Sequence, residues 1–277
     1  MTPEENIIDI SGETRPMTPP DHHHIIVARS PDLLAQQGAE LFQNAAVAGV
    51  ARSGSFAAAL SGGGSPRPIH RLLAAEPYLS GIPWHCTHLF WVDERLVPAA
   101  DPASNFGQAE KDFLRRLTLP EGNIHSMVSP KAPAAAAEDY EQELRRYFAS
   151  IGSSAPVFDL VLLGMGEDGH TASIFPGDDS AVATTSWVAA VKGGSPDVDR
   201  LTLTLPVINQ ARRIVFLVAG SKKAPVVRSL LANASSQLPA RHIRPPHGKV
   251  VWLLDEAAAA LLPPDLPGCD QPGLTRR

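Results

Sequence analysis

Phe158-Asp159-Leu160-Val161-Leu162-Leu163-Gly164-Met165-Gly166-Glu167-Asp168-Gly169-His170-Thr171-Ala172-Ser173-Ile174-Phe175-Pro176-Gly177 is the stretch on which the reading of this chain turns. An apolar run rich in β-formers breaks abruptly into three glycines. That pattern predicts a buried parallel strand that opens into a loop. The loop delivers Asp168 and His170, with the hydroxyls of Thr171 and Ser173 close behind. Glycine lets a backbone turn sharply and approach a ligand with no side chain in the way. An imidazole at a strand end is suited to proton transfer near neutral pH. The plainer reading is a turn whose histidine caps the loop. Gly164-Met165-Gly166-Glu167-Asp168-Gly169 also fits the G-x-G-x-x-G dinucleotide pattern. Glu167 and Asp168 would then press on a pyrophosphate, and like charges repel. A ribose-binding acid should also follow about twenty residues on, yet the next strand-like piece, Trp187–Val191, ends in Lys192.

Outward from this stretch, strands and helices alternate. Strands are expected at His24–Ala28, Phe56–Leu60, Thr87–Val92, Ile214–Val218 and Val250–Leu254. Arg200–Leu205 alternates with period two and suits an edge or antiparallel strand. Helices are expected from Pro31 to about Gly49, from Pro66 to about Ala75, over Asn105–Leu117 and Ala132–Ala149, after Lys223, and on to Leu262. Ser30-Pro31 reads as an N-cap followed by proline at the first helical position. The fold class that follows is α/β, an open, mostly parallel sheet with helices on both faces and a small additional lobe. Residues 23–262 form one catalytic domain in this reading. Residues 1–22 are expected to be a disordered tail and residues 263–277 a loose one.

Composition narrows the function classes. The 277 residues are 44% hydrophobic and 19% charged, with a net charge of −5. That balance speaks against a general nucleic-acid binder while leaving room for a small basic pocket. Two cysteines, Cys86 and Cys269, make no disulfide framework, so a cytoplasmic location is expected. No apolar stretch reaches membrane-spanning length, and the first 21 residues carry no secretory apolar core. His85-Cys86-Thr87-His88 lacks a second ligand cluster, so no metal is expected.

In an open parallel sheet the ligand crevice lies outside the carboxyl ends of the strands. Four segments fall at such ends. Ser61-Gly62-Gly63-Gly64-Ser65 precedes a helix, whose free N–H groups and dipole favour an anion. It lacks the lysine and hydroxyl of a nucleotide P-loop, which points to a small phosphate. Asp93-Glu94-Arg95 ends the third strand, and its guanidinium is a planar fork for phosphate or carboxylate. The third segment is residues 164–170. Lys222, after Gly220, adds a point charge to the same anion. Arg95, Arg200 and Lys222 each have an alternative as solvated surface cations.

Three motifs taken together resemble one family. They are Leu60–Pro66, Trp91–Pro98 with Ser104-Asn105, and Gly164–Gly177, supported by Arg200–Leu203 and Gly220–Ala224. The resemblance is to the 6-phosphogluconolactonase branch of the glucosamine-6-phosphate isomerase family, and it covers about His24 to Leu262. It implies the open α/β fold shared with glucosamine-6-phosphate deaminase and ribose-5-phosphate isomerase. It implies hydrolysis of a phosphosugar lactone in the oxidative pentose phosphate pathway with no cofactor or metal; separately, a monomer with no nucleic-acid or membrane partner is expected. It assigns His170 as general base, Asp168 as its partner, and Ser61, Gly62, Gly63, Gly64, Arg95, Asn105, Gly166, Arg200 and Lys222 to substrate and phosphate binding. Two rivals remain. The related deaminases carry a Phe-Asn-Glu-Pro segment where this chain has Ser173-Ile174-Phe175-Pro176, and Asp-Glu-Tyr where it has Asp93-Glu94-Arg95. Sugar-phosphate effector domains of regulators share the fold but normally follow a helix-turn-helix, which the first twenty-odd residues do not form.

Overall fold

The structure, a computed structural model, describes residues 23–233, 235–264, 266 and 268–270. The expected tail at residues 1–22 therefore lies outside the described residues. In chain order the elements are β1 (His23–Ala28), α1 (Pro31–Ser53), β2 (Phe56–Leu60), α2 (Pro66–Leu73), α3 (Tyr78–Gly81), β3 (Thr87–Trp91), β4 (Asp93–Arg95) and α4 (Asn105–Asp112). There follow β5 (Ile124–His125), α5 (Pro133–Ser150), β6 (Leu160–Leu163), β7 (Val188–Gly193), β8 (Val198–Leu203), α6 (Leu205–Ile208) and β9 (Arg213–Val218). The last elements are α7 (Ala224–Ala232), β10 (Lys249–Asp255), α8 (Glu256–Ala259) and β11 (Cys269–Asp270).

Eight strands form one sheet in the order β11-β1-β10-β9-β6-β2-β3-β5, and every pairing in it is parallel. All residues of β2 and β6 are buried. Continuous apolar runs of this kind are what a sheet covered on both faces requires. Phe216 of β9 stacks on Trp252 of β10, with centroids 4.0 Å apart. The additional lobe is a three-stranded antiparallel sheet, β4-β8-β7. It grows directly from the main sheet, because Val92, between β3 and β4, donates to Leu60 O and accepts from Leu203 N. The period-two strand is β8, and it is the middle strand of this lobe.

The boundaries differ from expectation where glycines and buried acids intervene. Ser30 caps α1 by accepting from Leu33 N at 3.2 Å. The helix passes through Gly49 and stops at Gly54, whose φ is +78°. Gly49 serves close packing, since a Cβ there would meet the Phe56 ring at 2.9 Å. α4 stops at Asp112, short of Leu117. The Asp112 carboxylate takes two bonds from Arg67 and one from Arg71 on α2. The C-terminal segment is not loose throughout. Gly268 O accepts from Ile25 N at 2.8 Å, and Cys269–Asp270 pairs with β1. That pairing satisfies an edge that would otherwise expose backbone donors and acceptors.

The amino end of the sheet is pinned by Asp159. Its carboxylate accepts from Ala57 N at 2.9 Å and pairs with Arg52 and Arg212. Also at the amino end of β3, His88 Nδ1 meets His125 Nε2 at 3.1 Å, and His125 Nδ1 meets Glu143 at 2.7 Å.

Burial lowers the pKa of His70 to about 4, and burial plus the neighbouring His125 does the same for His88. The unfolded chain, with ordinary histidines near 6.5, takes up protons first as pH falls. Stability is therefore fully present above about pH 6.5 and is lost progressively as pH approaches about 4. Urea midpoints across that range should fall with pH. His70→Phe, which preserves stacking on Phe113, should flatten the slope; an unchanged slope would remove His70 as a source.

Candidate active site

Four strands adjacent in the sheet, β9, β6, β2 and β3, send their carboxyl-end segments to one cleft of about 560 Å³. Ser61, Gly62, Gly63, Gly64, Arg95, Asn105, Gly166, His170 and Arg200 all line it. Asp168 stands behind His170 rather than in the wall.

The loop after β6 is held by its own bonds. Gly166 N donates to His170 O at 2.8 Å, Gly169 N donates to Gly166 O at 3.2 Å, and Thr171 Oγ1 donates to Gly164 O at 2.9 Å. Asp168 Oδ1 lies 2.6 Å from His170 Nδ1 and accepts the His170 N–H at 3.1 Å. Burial pushes the Asp168 pKa up, but the His170 N–H and the imidazole outweigh it and hold the carboxyl below its usual range. An ionised carboxylate only accepts, so it fixes the proton on Nδ1 and leaves Nε2 as the basic nitrogen. Gly166 must be glycine here: a Cβ would fall 2.1 Å from His170 Nδ1 and 2.3 Å from Asp168 Oδ1. Ala172, also in the wall, has a φ of +51°. A non-glycine residue in that region is strained, and such strain gathers at functional sites.

The glycine loop after β2 is tied to this segment by Ser61 Oγ, which accepts from Gly164 N at 3.3 Å. The N–H groups of Gly62, Gly63 and Gly64 donate to no group among the described residues. They precede α2, so unpaired donors and the positive end of a helix face the same space. Gly62 is pressed by Asn105, whose Oδ1 would lie 2.0 Å from a Cβ.

Glu94 organises the wall opposite. It is fully buried and accepts from the N–H groups of Arg95, Asn105 and Phe106, each at 2.7 Å, and from Ser104 Oγ at 3.1 Å. Burial holds its carboxyl above the ordinary range against the pull of those donors. Asn105 Nδ2 donates to Asp93 O at 2.9 Å, and Asp93 Oδ2 accepts from Ser173 Oγ at 2.7 Å. Arg95 Nη1 donates to Ala103 O at 2.5 Å. Arg200 sits directly across from Arg95 in the β4–β8 register. It is 4% exposed and donates to Gly193 O and Pro196 O at 2.7 and 3.0 Å. Burial, then the Arg95 charge, lowers its pKa.

The lysine expectation needs correcting. Lys222 is exposed and does not line the cleft; Lys223 does. The Ser221–Lys223 turn points successive side chains in different directions, so the next residue reaches inward. Burial lowers the Lys223 pKa, partly offset by Glu167 and Asp168. Asp93 and Ser173 stood beside the expected site residues without an assigned role, and Gly194 and Ser195, which line the cleft, were missed. The adjacent Gly193-Gly194 pair, a hairpin signal between β7 and β8, could have drawn attention to the last two.

A family model described as glucosamine-6-phosphate isomerases/6-phosphogluconolactonase matches residues 29–252. The 6-phosphogluconolactonase of Synechocystis sp. is 41% identical over 219 residues, covering 78% of this chain and 88% of that protein. A crystal structure of 6-phosphogluconolactonase from Thermotoga maritima superposes with a TM-score of 0.74 at 28% identity, covering 84% of this chain and 99% of that one. A monomeric glucosamine-6-phosphate deaminase superposes with a TM-score of 0.72 at 22% identity over 86% and 99%, a likeness of fold alone. With most of its length inside the family model and its strand-end motifs gathered at one cleft, the chain belongs to the glucosamine-6-phosphate isomerase/6-phosphogluconolactonase family.

Proposed function

We propose that the chain hydrolyses 6-phospho-D-glucono-1,5-lactone to 6-phospho-D-gluconate, a step of the oxidative pentose phosphate pathway. The observation that carries this reading is the Asp168–His170 pair in the same cleft as three cations and a row of unpaired backbone N–H groups. The cations and free N–H groups suit a phosphoryl group, and the imidazole suits proton transfer. The curated relatives named as lactonases support the substrate class.

Nε2 of His170 takes a proton from water as the oxygen bonds to C1 of the lactone. The tetrahedral oxyanion collapses, the bond from C1 to the ring oxygen breaks, and the imidazolium returns its proton to that oxygen. Asp168 keeps the ring in the required tautomer and stabilises the imidazolium. The N–H groups of Gly62, Gly63 and Gly64, with Arg200 and Lys223, grip the phosphate, and Arg95 adds its guanidinium. Anchoring the remote phosphate places the carbonyl beside the imidazole, which is where orientation contributes rate. Ser61 ties the two glycine-bearing loops together, and Asn105 packs against Gly62 of the first. The Ser173–Pro176 segment supplies no carboxylate of the kind the deaminases use for ring opening.

The chain works as a monomer in the cytoplasm in this reading, and a net charge of −5 suits a small-molecule rather than a nucleic-acid partner. Among the described residues no helix is long and apolar enough to cross a membrane.

A coupled assay tests the activity: the lactone is generated by glucose-6-phosphate dehydrogenase, and 6-phosphogluconate formation should rise above spontaneous hydrolysis. His170→Ala should bind 6-phosphogluconate normally while kcat drops by about 10²–10⁴-fold. Near-normal turnover in that variant sinks the base assignment. Arg95→Ala and Arg200→Ala should each raise KM by about tenfold or more, the loss expected for a charge-assisted contact. An unaltered KM takes that arginine out of the substrate site.

A further inference from the structure

We infer that Asp255, which lies outside the cleft wall, is a positioning residue for Lys223. The inference rests on the reading that Lys223 contacts the phosphoryl group.

Lysine carries its charge on a flexible four-carbon stem. Where the ammonium goes therefore depends on where its backbone root is fixed. Among the described residues no carboxylate forms an ion pair with Lys223 within 4.0 Å. The root leaves β9 through Ala219, which lines the cleft, and then through Gly220. Gly220 has φ +96° and ψ +146°, a conformation nearly closed to residues with a side chain. A Cβ there would meet nothing within 4 Å, so the glycine is required by dihedral angle and not by crowding.

Glycine's freedom lets the chain take this turn but does not fix it, so its direction depends on what holds it. Both carboxylate oxygens of Asp255 accept the Gly220 N–H, each at 3.0 Å. Asp255 is 3% exposed and ends β10, the strand beside β9 in the sheet. Its Oδ1 also accepts from Ala258 N at 2.7 Å, which caps α8. Its partners are thus backbone N–H groups on two elements, and it fixes Gly220 relative to the sheet. Three residues later the chain presents Lys223 to the cleft. A carboxylate committed to that geometry sets the reach of the ammonium without touching the ligand. Capping of α8 alone would make Asp255 purely structural, and the two roles differ in what they do to affinity.

The experiment measures kcat, KM and the Kd of 6-phosphogluconate by calorimetry for Lys223→Ala, Asp255→Asn, Gly220→Ala and the Asp255→Asn/Lys223→Ala double variant, with thermal midpoints alongside. Asp255→Asn and Gly220→Ala should each raise KM and Kd about tenfold while kcat stays within about twofold. In the double variant Asp255→Asn should add little to Lys223→Ala, the signature of one residue acting through another. A lowered midpoint with unchanged Kd, or fully additive effects in the double variant, overturns the inference. If Lys223→Ala weakens binding and Asp255→Asn does not, only the positioning claim falls. If Lys223→Ala itself leaves Kd unchanged, the phosphate role of Lys223 falls and the positioning claim with it. Should Asp255→Asn fail to fold, Gly220→Ala alone and combined with Lys223→Ala decides by the same criteria.

Discussion

Two guanidinium groups face each other across β4 and β8, and the architecture of the cleft follows from keeping them there. Like charges directly opposite in a sheet destabilise it by about 0.2–1 kcal/mol. The chain offsets this by tying each arginine to carbonyl oxygens: Arg95 to Ala103, and Arg200 to Gly193 and Pro196. Those carbonyls sit on the segment before α4 and on the β7–β8 hairpin. The buried Glu94 locks the first, and the Gly193-Gly194 pair, both at positive φ, turns the second. Among the described residues no carboxylate hydrogen-bonds either guanidinium. The lobe carries this pair on its β4 and β8 strands.

The two ends of the main sheet divide the work. At the amino end, the Asp159 carboxylate is closed off by Ala57 N, Arg52 and Arg212. At the carboxyl end, backbone donors of the glycine loop and the cations of the cleft wall are left for a ligand. Unmet polar groups weaken a protein, and this one concentrates them where binding repays the loss.

Much of this was legible in the chain itself, because the signals were local. The glycine breaks after β2 and β6 mark strand ends by backbone freedom, and alternation of strands and helices fixes the parallel sheet. His170, Arg95 and the glycine loop stand beside those marks, so their convergence followed from topology. Lys222 and Lys223 differ only in side-chain direction after a tight turn, which neither residue type nor spacing encodes. Asp93 was visible within Asp93-Glu94-Arg95, but its bond to Ser173 joins residues eighty apart and depends on tertiary packing. Pairing of Cys269–Asp270 with β1 was hidden because two residues are too few to show a period, and because proline and glycine dominate around them.

The segment from Gly164 to Thr171 makes most of its hydrogen bonds within itself, with Ser61 Oγ and Ala240 N as partners from outside. The Asp168–His170 pair is therefore set by its own loop, rooted in one strand and braced by Ser61 and Ala240. Recognition of the rest of the ligand is scattered over three other strand ends. Substitution at those ends would leave the Asp168–His170 geometry in place, so in this framework the surroundings of a ligand can change while the acid–imidazole pair does not.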